Sequence, residues 1–173
     1  LSVEIAGLDS GKIYQFRLAA QNAAGASPFS AVKSHIVGTP PTNAPTGLGV
    51  VSTTISSLTW RWDALDVNFV GGAPLAGYKL YMDRGLNDPE LYLVYDGTGA
   101  PSITQTTQSA LTCGRTYRAQ VSAANNIGEG PVSAVVSANL AITPTQPANT
   151  RVVSSSKEQV DLGWDVPFET GCA

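Results

Sequence analysis

The segment "LTCGRTYRAQVSAANNIGEGPVS", residues 111–133, decides the fold because a turn, a long strand and a second turn follow one another in it. Within it, Tyr117, Ala119, Val121 and Ala123 alternate with other residues, most of them polar. Successive side chains of a β-strand point to opposite faces. The alternation therefore predicts a strand with one face on a core and the other in water.

Most of this segment is present twice in the chain. The stretch "LDSGKIYQFRLAAQNAAGASPFS" at residues 8–30 matches it at a displacement of 103 residues without a gap. A period of this size indicates a repeated unit of about 100 residues, which is long enough to bury its own core. The chain of 173 residues therefore holds one whole unit and parts of two others.

Proline-rich segments mark the boundaries between these units. They are "TPPTNAP" at residues 39–45 and "TPTQP" at residues 143–147. Short, proline-containing junctions are stiff, so neighbouring units are expected to touch and to form a semi-rigid tandem array. The predicted domains are the C-terminal part of a first unit at residues 1–40, a complete unit at 41–143 and the N-terminal part of a third unit at 144–173.

Composition excludes some classes of partner. Charged residues make up 13% of the chain, the net charge is -3 and the pI is near 5.0, whereas nucleic-acid sites need clustered Lys and Arg. Apolar runs are far shorter than the ~20 residues that span a bilayer. We expect no nucleic acid and no membrane contact. Because Leu1 lies in a strand-like run, the chain is expected to begin within a domain, with any targeting signal elsewhere.

Further alternating patterns predict additional strands. The residues that share an inward face are Leu58, Trp60 and Trp62, then Tyr78, Leu80 and Met82, and finally Val160, Leu162 and Trp164. Turn-forming Gly, Asn, Asp and Pro residues separate these runs. Many short strands with such turns predict an all-β antiparallel sandwich.

The pattern resembles fibronectin type III repeats. The matching positions in the complete unit are Pro45, Trp62-Asp63, Gly77-Tyr78, Leu111-x-x-Gly114-x-x-Tyr117, Asn125-x-x-Gly128 and Ser133. The resemblance implies a seven-stranded antiparallel Greek-key β-sandwich at residues 41–143. It also implies the last three strands (E, F and G) of such a repeat in residues 1–40 and the first two (A and B) in residues 144–173.

The resemblance implies structural roles for four aromatic residues. Tyr14 and Tyr117 are expected to be tyrosine corners, in which a packed ring returns its hydroxyl to the backbone a few residues upstream. Trp62 and Trp164 are expected to be core tryptophans. An immunoglobulin domain fits less well, because residues 41–143 lack a pair of cysteines on facing strands.

One strand of the complete unit departs from the expected pattern. Thr106 and Gln108 stand where the first unit has Val3 and Ile5. A buried amide without a partner costs about 1–3 kcal/mol. Gln108 therefore has a hydrogen-bond partner, lies on an exposed edge strand or belongs to a strand of shifted register.

The sequence predicts no catalytic residue, no cofactor and no metal site. It has one histidine, His35, two cysteines and none of the motifs GxSxG, HExxH or a glycine-rich phosphate loop. His35 is interpreted as a surface or edge-strand residue. Four oxygen-bearing residues in one loop are of the types that bind calcium, but Asn-Asp-Pro is typical of a plain turn and the EF-hand spacing is missing. These four residues are Asp83, Asn87, Asp88 and Glu90.

The loop between Trp62 and Tyr78 is longer than is usual in the family and carries Phe69, Val70 and Leu75. Loops at one end of a sandwich are common binding surfaces. These three residues form a candidate contact patch for a neighbouring unit or another protein. Packing of the loop against its own core is an equally consistent interpretation.

The resemblance also brings the two cysteines to one junction. Cys113 precedes the second tyrosine corner, and Cys172 lies in a loop that faces the preceding domain in this family. The corresponding positions of the earlier junction are Ser10 and Gly72, so the cysteines occur there as a pair or not at all. We hypothesise an interdomain disulfide. Two free thiols, or a bond from Cys172 to a residue outside the chain, are the alternatives.

These features favour a non-catalytic structural or adhesive spacer in a large multi-repeat protein that is secreted, on the cell surface or filament-forming. Its expected partners are the neighbouring repeats and other proteins, in an extracellular or cell-surface setting. Two alternatives remain open. The repeats are accessory domains of an enzyme whose catalytic part lies elsewhere, or they form an intracellular titin-like array with reduced cysteines.

Overall fold

The computed structural model describes residues 1–168 and 170–172, and antiparallel β-strands dominate it. The strands are β1 (Ile13–Phe16), β2 (Gln21–Asn22), β3 (Gly25–Ala26), β4 (Lys33–Ile36), β5 (Gly49–Thr53), β6 (Leu58–Arg61), β7 (Leu75–Met82), β8 (Tyr92–Asp96), β9 (Gln105–Gln108), β10 (Thr116–Asn125), β11 (Glu129–Val132), β12 (Val136–Asn139), β13 (Ala148–Ser155) and β14 (Val160–Asp165). A single 3₁₀ turn at Val67–Phe69 is the helical element of the described residues. The predicted all-β fold is confirmed.

Strands β5 to β12 form two sheets. One has the order β5-β6-β9, and the other has the order β11-β10-β7-β8 with β12 also paired to β10. Residues 49–139 thus contain eight strands where the sequence predicts seven. The difference arises because the last predicted strand divides into β11 and β12 around Ser133, whose hydroxyl accepts a hydrogen bond from the Val121 amide at 3.1 Å.

The two sheets enclose a core built from the inward faces of β6, β7 and β10. Its largest fully buried side chains are Trp60, Trp62, Tyr78, Leu58, Leu80, Leu140 and Val121. Burying such a side chain contributes about 1.5–3 kcal/mol. The alternation seen in the sequence is therefore the principal source of this unit's stability.

Aromatic contacts connect this core to the long loop that follows β6. The ring of Trp62 lies 5.7 Å from that of Tyr78 and 6.1 Å from that of Tyr95, both in tilted arrangements. The Tyr78 hydroxyl accepts a hydrogen bond from the backbone N–H of Leu65 at 2.8 Å. The start of the loop is thus held to the core by one buried tyrosine.

The polar strand β9 lies at the edge of its sheet. Its residue Gln108 pairs with Leu58 of β6, and Thr106 pairs with Trp60. Gln108 is only half-buried, and its amide donates a long hydrogen bond of 3.4 Å to the Thr106 hydroxyl. An edge position and a neighbouring acceptor together allow an amide to occupy this place.

The flanking segments form small two-stranded sheets with exposed apolar faces. In residues 13–36, β1 pairs with β4 and β2 with β3, and further along the chain β13 pairs with β14. Leu18 is 70% exposed. Trp164, predicted to be a core tryptophan, is 57% exposed. The cause is that no second sheet packs on either segment among the described residues.

Two leucines test the core assignment. Leu80→Ala is expected to lower the free energy of unfolding by about 2–5 kcal/mol, because Leu80 is fully buried and its truncation leaves a cavity. Leu86→Ala is the matched control, since Leu86 is 62% exposed and its truncation is expected to cost less than about 0.5 kcal/mol. Urea denaturation measures both. Equal losses for the two variants would show that the core is wrongly assigned.

Candidate functional site at the two junctions

Tyrosine hydroxyls hold two turns, at residues 8–11 and 111–114, which lie near the boundaries between the predicted units. Tyr117 is buried, and its hydroxyl accepts a hydrogen bond from the backbone N–H of Thr112 at 2.8 Å. The hydroxyl of Tyr14 accepts the equivalent bond from the N–H of Asp9 at 3.0 Å. Each bond ties a turn to the strand that follows it. The two turns are therefore held in the same way against the strands that follow them.

The first junction is the contact of the loop at residues 63–74 with the linker at residues 37–42 and with the turn at residues 8–11. The backbone N–H of Thr39 donates to the carbonyl of Gly71 at 2.9 Å. Gly71 has a φ of 77°, and a Cβ at this position would overlap the carbonyl oxygen of Thr39. Only glycine satisfies both the positive φ and the close approach of two backbone segments.

Asn125, at the end of β10, joins the linker to the loop. Its side-chain nitrogen donates to the carbonyl oxygen of Thr39 at 2.7 Å and to that of Val70 at 2.9 Å. Its side-chain oxygen accepts from the amides of Ile127 at 2.9 Å and Gly128 at 3.0 Å. The side chain therefore uses its full hydrogen-bonding capacity in a buried position, and it bonds three separate backbone segments.

The three residues of the predicted contact patch lie in different environments. Phe69 is 40% exposed, while its carbonyl accepts a hydrogen bond from the N–H of Thr42 at 2.9 Å. Val70 supplies a carbonyl to Asn125, as described above. Leu75 begins β7 and packs against the core. The backbone of the loop contacts the linker, and a role of these side chains in binding another protein stays a prediction.

The second junction is the contact between the turn at residues 111–114 and the segment at residues 170–172, and a disulfide between Cys113 and Cys172 crosses it. The two Cα atoms are 5.4 Å apart, which lies in the usual range for disulfides, and the bond joins residues separated by 59 positions. The N–H of Gly114, next to Cys113, donates to the carbonyl of Leu140 at 2.8 Å. The disulfide hypothesised from the sequence is confirmed, and the two alternatives for these cysteines are not observed.

Asp83, one of the four oxygen-bearing loop residues, forms an ion pair with Arg118 of β10. One carboxylate oxygen accepts from the Arg118 side chain at 2.8 Å, and the other accepts from the N–H of Arg118 at 3.0 Å and of Gly85 at 3.1 Å. Burial opposes ionisation of this carboxyl, but the hydrogen bonds outweigh it and hold the pKa of Asp83 below its ordinary value. Its oxygens are thus occupied by protein donors.

The other members of that loop are arranged as turn residues. Asp88 and Glu90 each accept a hydrogen bond from the Tyr92 hydroxyl, at 3.1 and 3.0 Å, and Asn87 has a φ of 60°.

His35 lies exposed on β4. Across residues 1–168 and 170–172, no group of three or more His, Cys, Asp or Glu side chains is placed to hold a metal ion. In the same residues, no helix has the length and apolarity to cross a membrane.

A second polar cluster lies on the outer face of the larger sheet. The carboxylate of Glu129 accepts hydrogen bonds from Ser122 at 2.6 Å, Tyr81 at 2.6 Å and Lys79 at 3.0 Å. Burial and the bond to Glu129 raise the pKa of Tyr81 to about 12. Burial opposes ionisation of Glu129, but its three donors hold its pKa below the ordinary value. The cluster ties β7, β10 and β11 together.

The sequence patterns at Asn125 and Gly71 do not assign these residues to the junction. The available signals were the motif Asn-x-x-Gly, which starts at Asn22 in one copy and at Asn125 in the other, and the Gly71-Gly72 pair in the long loop. Asn125 matches the family pattern and Gly71 belongs to a turn-forming pair, and neither feature by itself indicates a contact with the linker. The structure shows that the same residues that form the turns also bind the linker.

Comparison with known families and structures agrees with this architecture. Residues 43–139 match the family model described as "Fibronectin type III domain". The crystal structure of the FN1-FN3 domains of chicken CNTN1 aligns with a TM-score of 0.52 and 25% sequence identity, covering 88% of this chain and 51% of that one.

Several curated proteins are similar in sequence. Mouse protein sidekick-2 is 30% identical over 176 residues, covering 89% of this chain and 8% of that protein. The cell adhesion molecule Dscam2 of Drosophila melanogaster is 33% identical over 138 residues, covering 79% of this chain and 6% of that protein. The chain therefore spans less than about a tenth of the length of these relatives.

Asn125 offers a test of the first junction. Asn125→Asp is expected to lower the free energy of unfolding by about 1–3 kcal/mol or more, because the carboxylate places an acceptor against two buried carbonyl oxygens. Asn126→Asp is the matched control, since Asn126 is exposed and adjacent. Chemical denaturation measures both variants. A loss no larger for Asn125 than for Asn126 would rule out the proposed linker contact.

Peptide mapping tests the second junction. In the native, unreduced protein, neither Cys113 nor Cys172 is expected to react with an alkylating reagent, and one digest fragment should contain both peptides. After reduction with dithiothreitol both cysteines should react, which serves as the control. Alkylation of both residues before reduction would refute the disulfide.

Proposed function

This chain belongs to the fibronectin type III family, and we propose that it is a non-catalytic spacer and adhesive module that holds protein-protein contact sites at a fixed separation. The observation that carries this proposal is the Cys113–Cys172 disulfide across the second junction. A covalent bond between a turn and the loop of the next segment restricts bending there. A spacer needs junctions that resist bending, whereas a flexible tether does not.

The first junction supports the same function with non-covalent contacts. Asn125 and Gly71 bring the linker and the loop into direct contact through buried hydrogen bonds. Gly/Ser-rich linkers behave as flexible coils, while proline-rich linkers are semi-rigid. We therefore propose that residues 1–40, 41–143 and 144–173 are three units of one semi-rigid array, one complete and two partial.

The setting we propose is the cell surface or the extracellular space. Disulfides persist in oxidising compartments and are rare in the reducing cytosol. One similar protein is named a cell adhesion molecule, which supports an adhesive role with other proteins as partners. The disulfide argues against an intracellular array with reduced cysteines. A secreted or filament-forming protein remains within the proposal.

The test replaces the complete unit in the full-length protein. Three forms are compared: the native protein, a form in which residues 41–143 are replaced by a Gly-Ser linker of equal residue number, and a form in which they are replaced by an unrelated β-sandwich. Electron microscopy measures end-to-end length, and a cell-aggregation assay measures adhesion. The Gly-Ser form is expected to lose both a defined length and aggregation, because a coil has no fixed span.

The unrelated sandwich separates the two parts of the proposal. Restored length with restored aggregation indicates a spacer, and restored length without aggregation indicates that this unit itself contacts a partner. If the Gly-Ser form keeps native length and aggregation, the proposed function is wrong. If it alters only an enzymatic turnover of the full-length protein, the chain is an accessory domain of an enzyme.

A further inference from the structure

The two junctions have matching residues, although only one of them is covalently closed. Ser10 occupies the turn position of Cys113, and Gly72 occupies the loop position of Cys172. We propose that the contact between Ser10 and Gly72 is a non-covalent counterpart of the disulfide. According to this proposal, the turn and the loop dock in the same orientation at both junctions. The array then bends preferentially at the first junction, which has no covalent bond. The inference rests on the proposed spacer function and adds the position at which that spacer bends.

The turns that enter the two junctions have the same backbone geometry. Gly11 has a φ of 82° and Gly114 a φ of 79°. The N–H of Gly11 donates to the carbonyl of Val37 at 2.7 Å, and the N–H of Gly114 donates to that of Leu140 at 2.8 Å. The turn that carries Ser10 is therefore held like the turn that carries the cysteine.

The loops that receive these turns also match. Gly71 and Gly171 have φ values of 77° and 79°, and the residues that follow, Gly72 and Cys172, have values of 80° and 73°. A positive φ is unusual for a cysteine, since most residues other than glycine avoid this region. Cys172 therefore adopts the backbone conformation that Gly72 adopts at the equivalent position of the first junction.

The loops approach their linkers through equivalent atoms. A Cβ on Gly71 would overlap the carbonyl oxygen of Thr39, and a Cβ on Gly171 would overlap that of Ile142, which lies 103 residues further along the chain. This displacement is the one that relates the two copies of the repeated segment. The loop and the linker therefore meet with the same relative placement at both junctions.

The positions of Ser10 and Gly72 are close enough for a covalent link. A Cβ added at Gly72 would lie 3.0 Å from the Cβ of Ser10. Disulfides have Cβ atoms about 3.5–4.5 Å apart, so a small outward shift satisfies the geometry. At Gly11, an added Cβ would lie 2.7 Å from the carbonyl oxygen of Gly72, and at Gly114 it would lie 3.1 Å from that of Cys172. The first junction thus lacks the two sulfur atoms but has the same contact.

The mechanical consequence follows from the type of bond at each junction. At the second junction, separation of turn and loop requires cleavage of a covalent bond. At the first junction, separation breaks only van der Waals contacts and hydrogen bonds, which are individually far weaker than a covalent bond. Thermal bending is therefore concentrated at the first junction while the disulfide is intact.

The decisive experiment introduces cysteines at the first junction of the full-length protein. Ser10→Cys is combined with Gly72→Cys, and oxidised glutathione is supplied to accept the two electrons and to leave as two reduced molecules. The control combines Asp9→Cys with Gly72→Cys, since Asp9 is the neighbouring residue and bonds Lys12 at the surface. Peptide mapping follows disulfide formation over time.

We expect the Ser10 pair to form its disulfide at least about tenfold faster than the Asp9 pair, because proximity sets the effective concentration of the two thiols. Equal rates, or no bond in either variant, would overturn the inference. The result is independent of the aggregation assay, so the proposed function and this inference fail separately.

A reciprocal variant covers the case in which a cysteine at position 72 disturbs folding. Cys113→Ser combined with Cys172→Gly gives the second junction the residues of the first. Small-angle X-ray scattering is expected to show unchanged mean dimensions, and nitrogen-15 relaxation is expected to show more motion between the units. A change in mean dimensions, or unchanged motion, would contradict equivalent docking.

Discussion

The register of strand β10 is the constraint on which the rest of the structure depends. This strand pairs with β7, β11 and β12, and its inward residues fill the core. It begins next to Tyr117, which holds the turn of the second junction, and it ends at Asn125, which binds the linker of the first. At about 3.3 Å per residue the strand separates the two anchors, which are eight residues apart, by roughly 26 Å.

A slip of β10 by one residue would disrupt both junctions together with the core. The side-chain period of a strand is two, so such a slip would turn Val121 toward water and Ser122 toward the core. It would also remove the Tyr117 hydroxyl from the turn and the Asn125 amide from the linker. Core packing and junction geometry are therefore fixed by the same alternation. The two ends of one strand therefore fix the turn before Tyr117 and the linker contact of Asn125 at the same time.

Much of the fold and part of the site followed from the sequence, because both rest on short-range patterns. The alternation around Trp62 and Val121 indicates buried faces, and the paired occurrence of Cys113 and Cys172 suggested the disulfide. The exposed position of Trp164 was not predictable, since burial depends on a facing sheet that period-2 alternation does not supply. The contacts of Asn125 were missed because they join residues 55 and 86 positions apart.

Buried hydrogen bonds at the first junction also make the stability of the sandwich depend on its linker. Without the linker, the Asn125 side chain would lose the acceptor on Thr39 and keep the one on Val70. A buried polar group that loses a partner costs about 1–3 kcal/mol, a large part of the net stability of a small domain. The sandwich of strands β5 to β12 is therefore stabilised by its own core and by the linker that precedes it. Bending between the linker and the sandwich is thus resisted by the same hydrogen bonds that stabilise the fold.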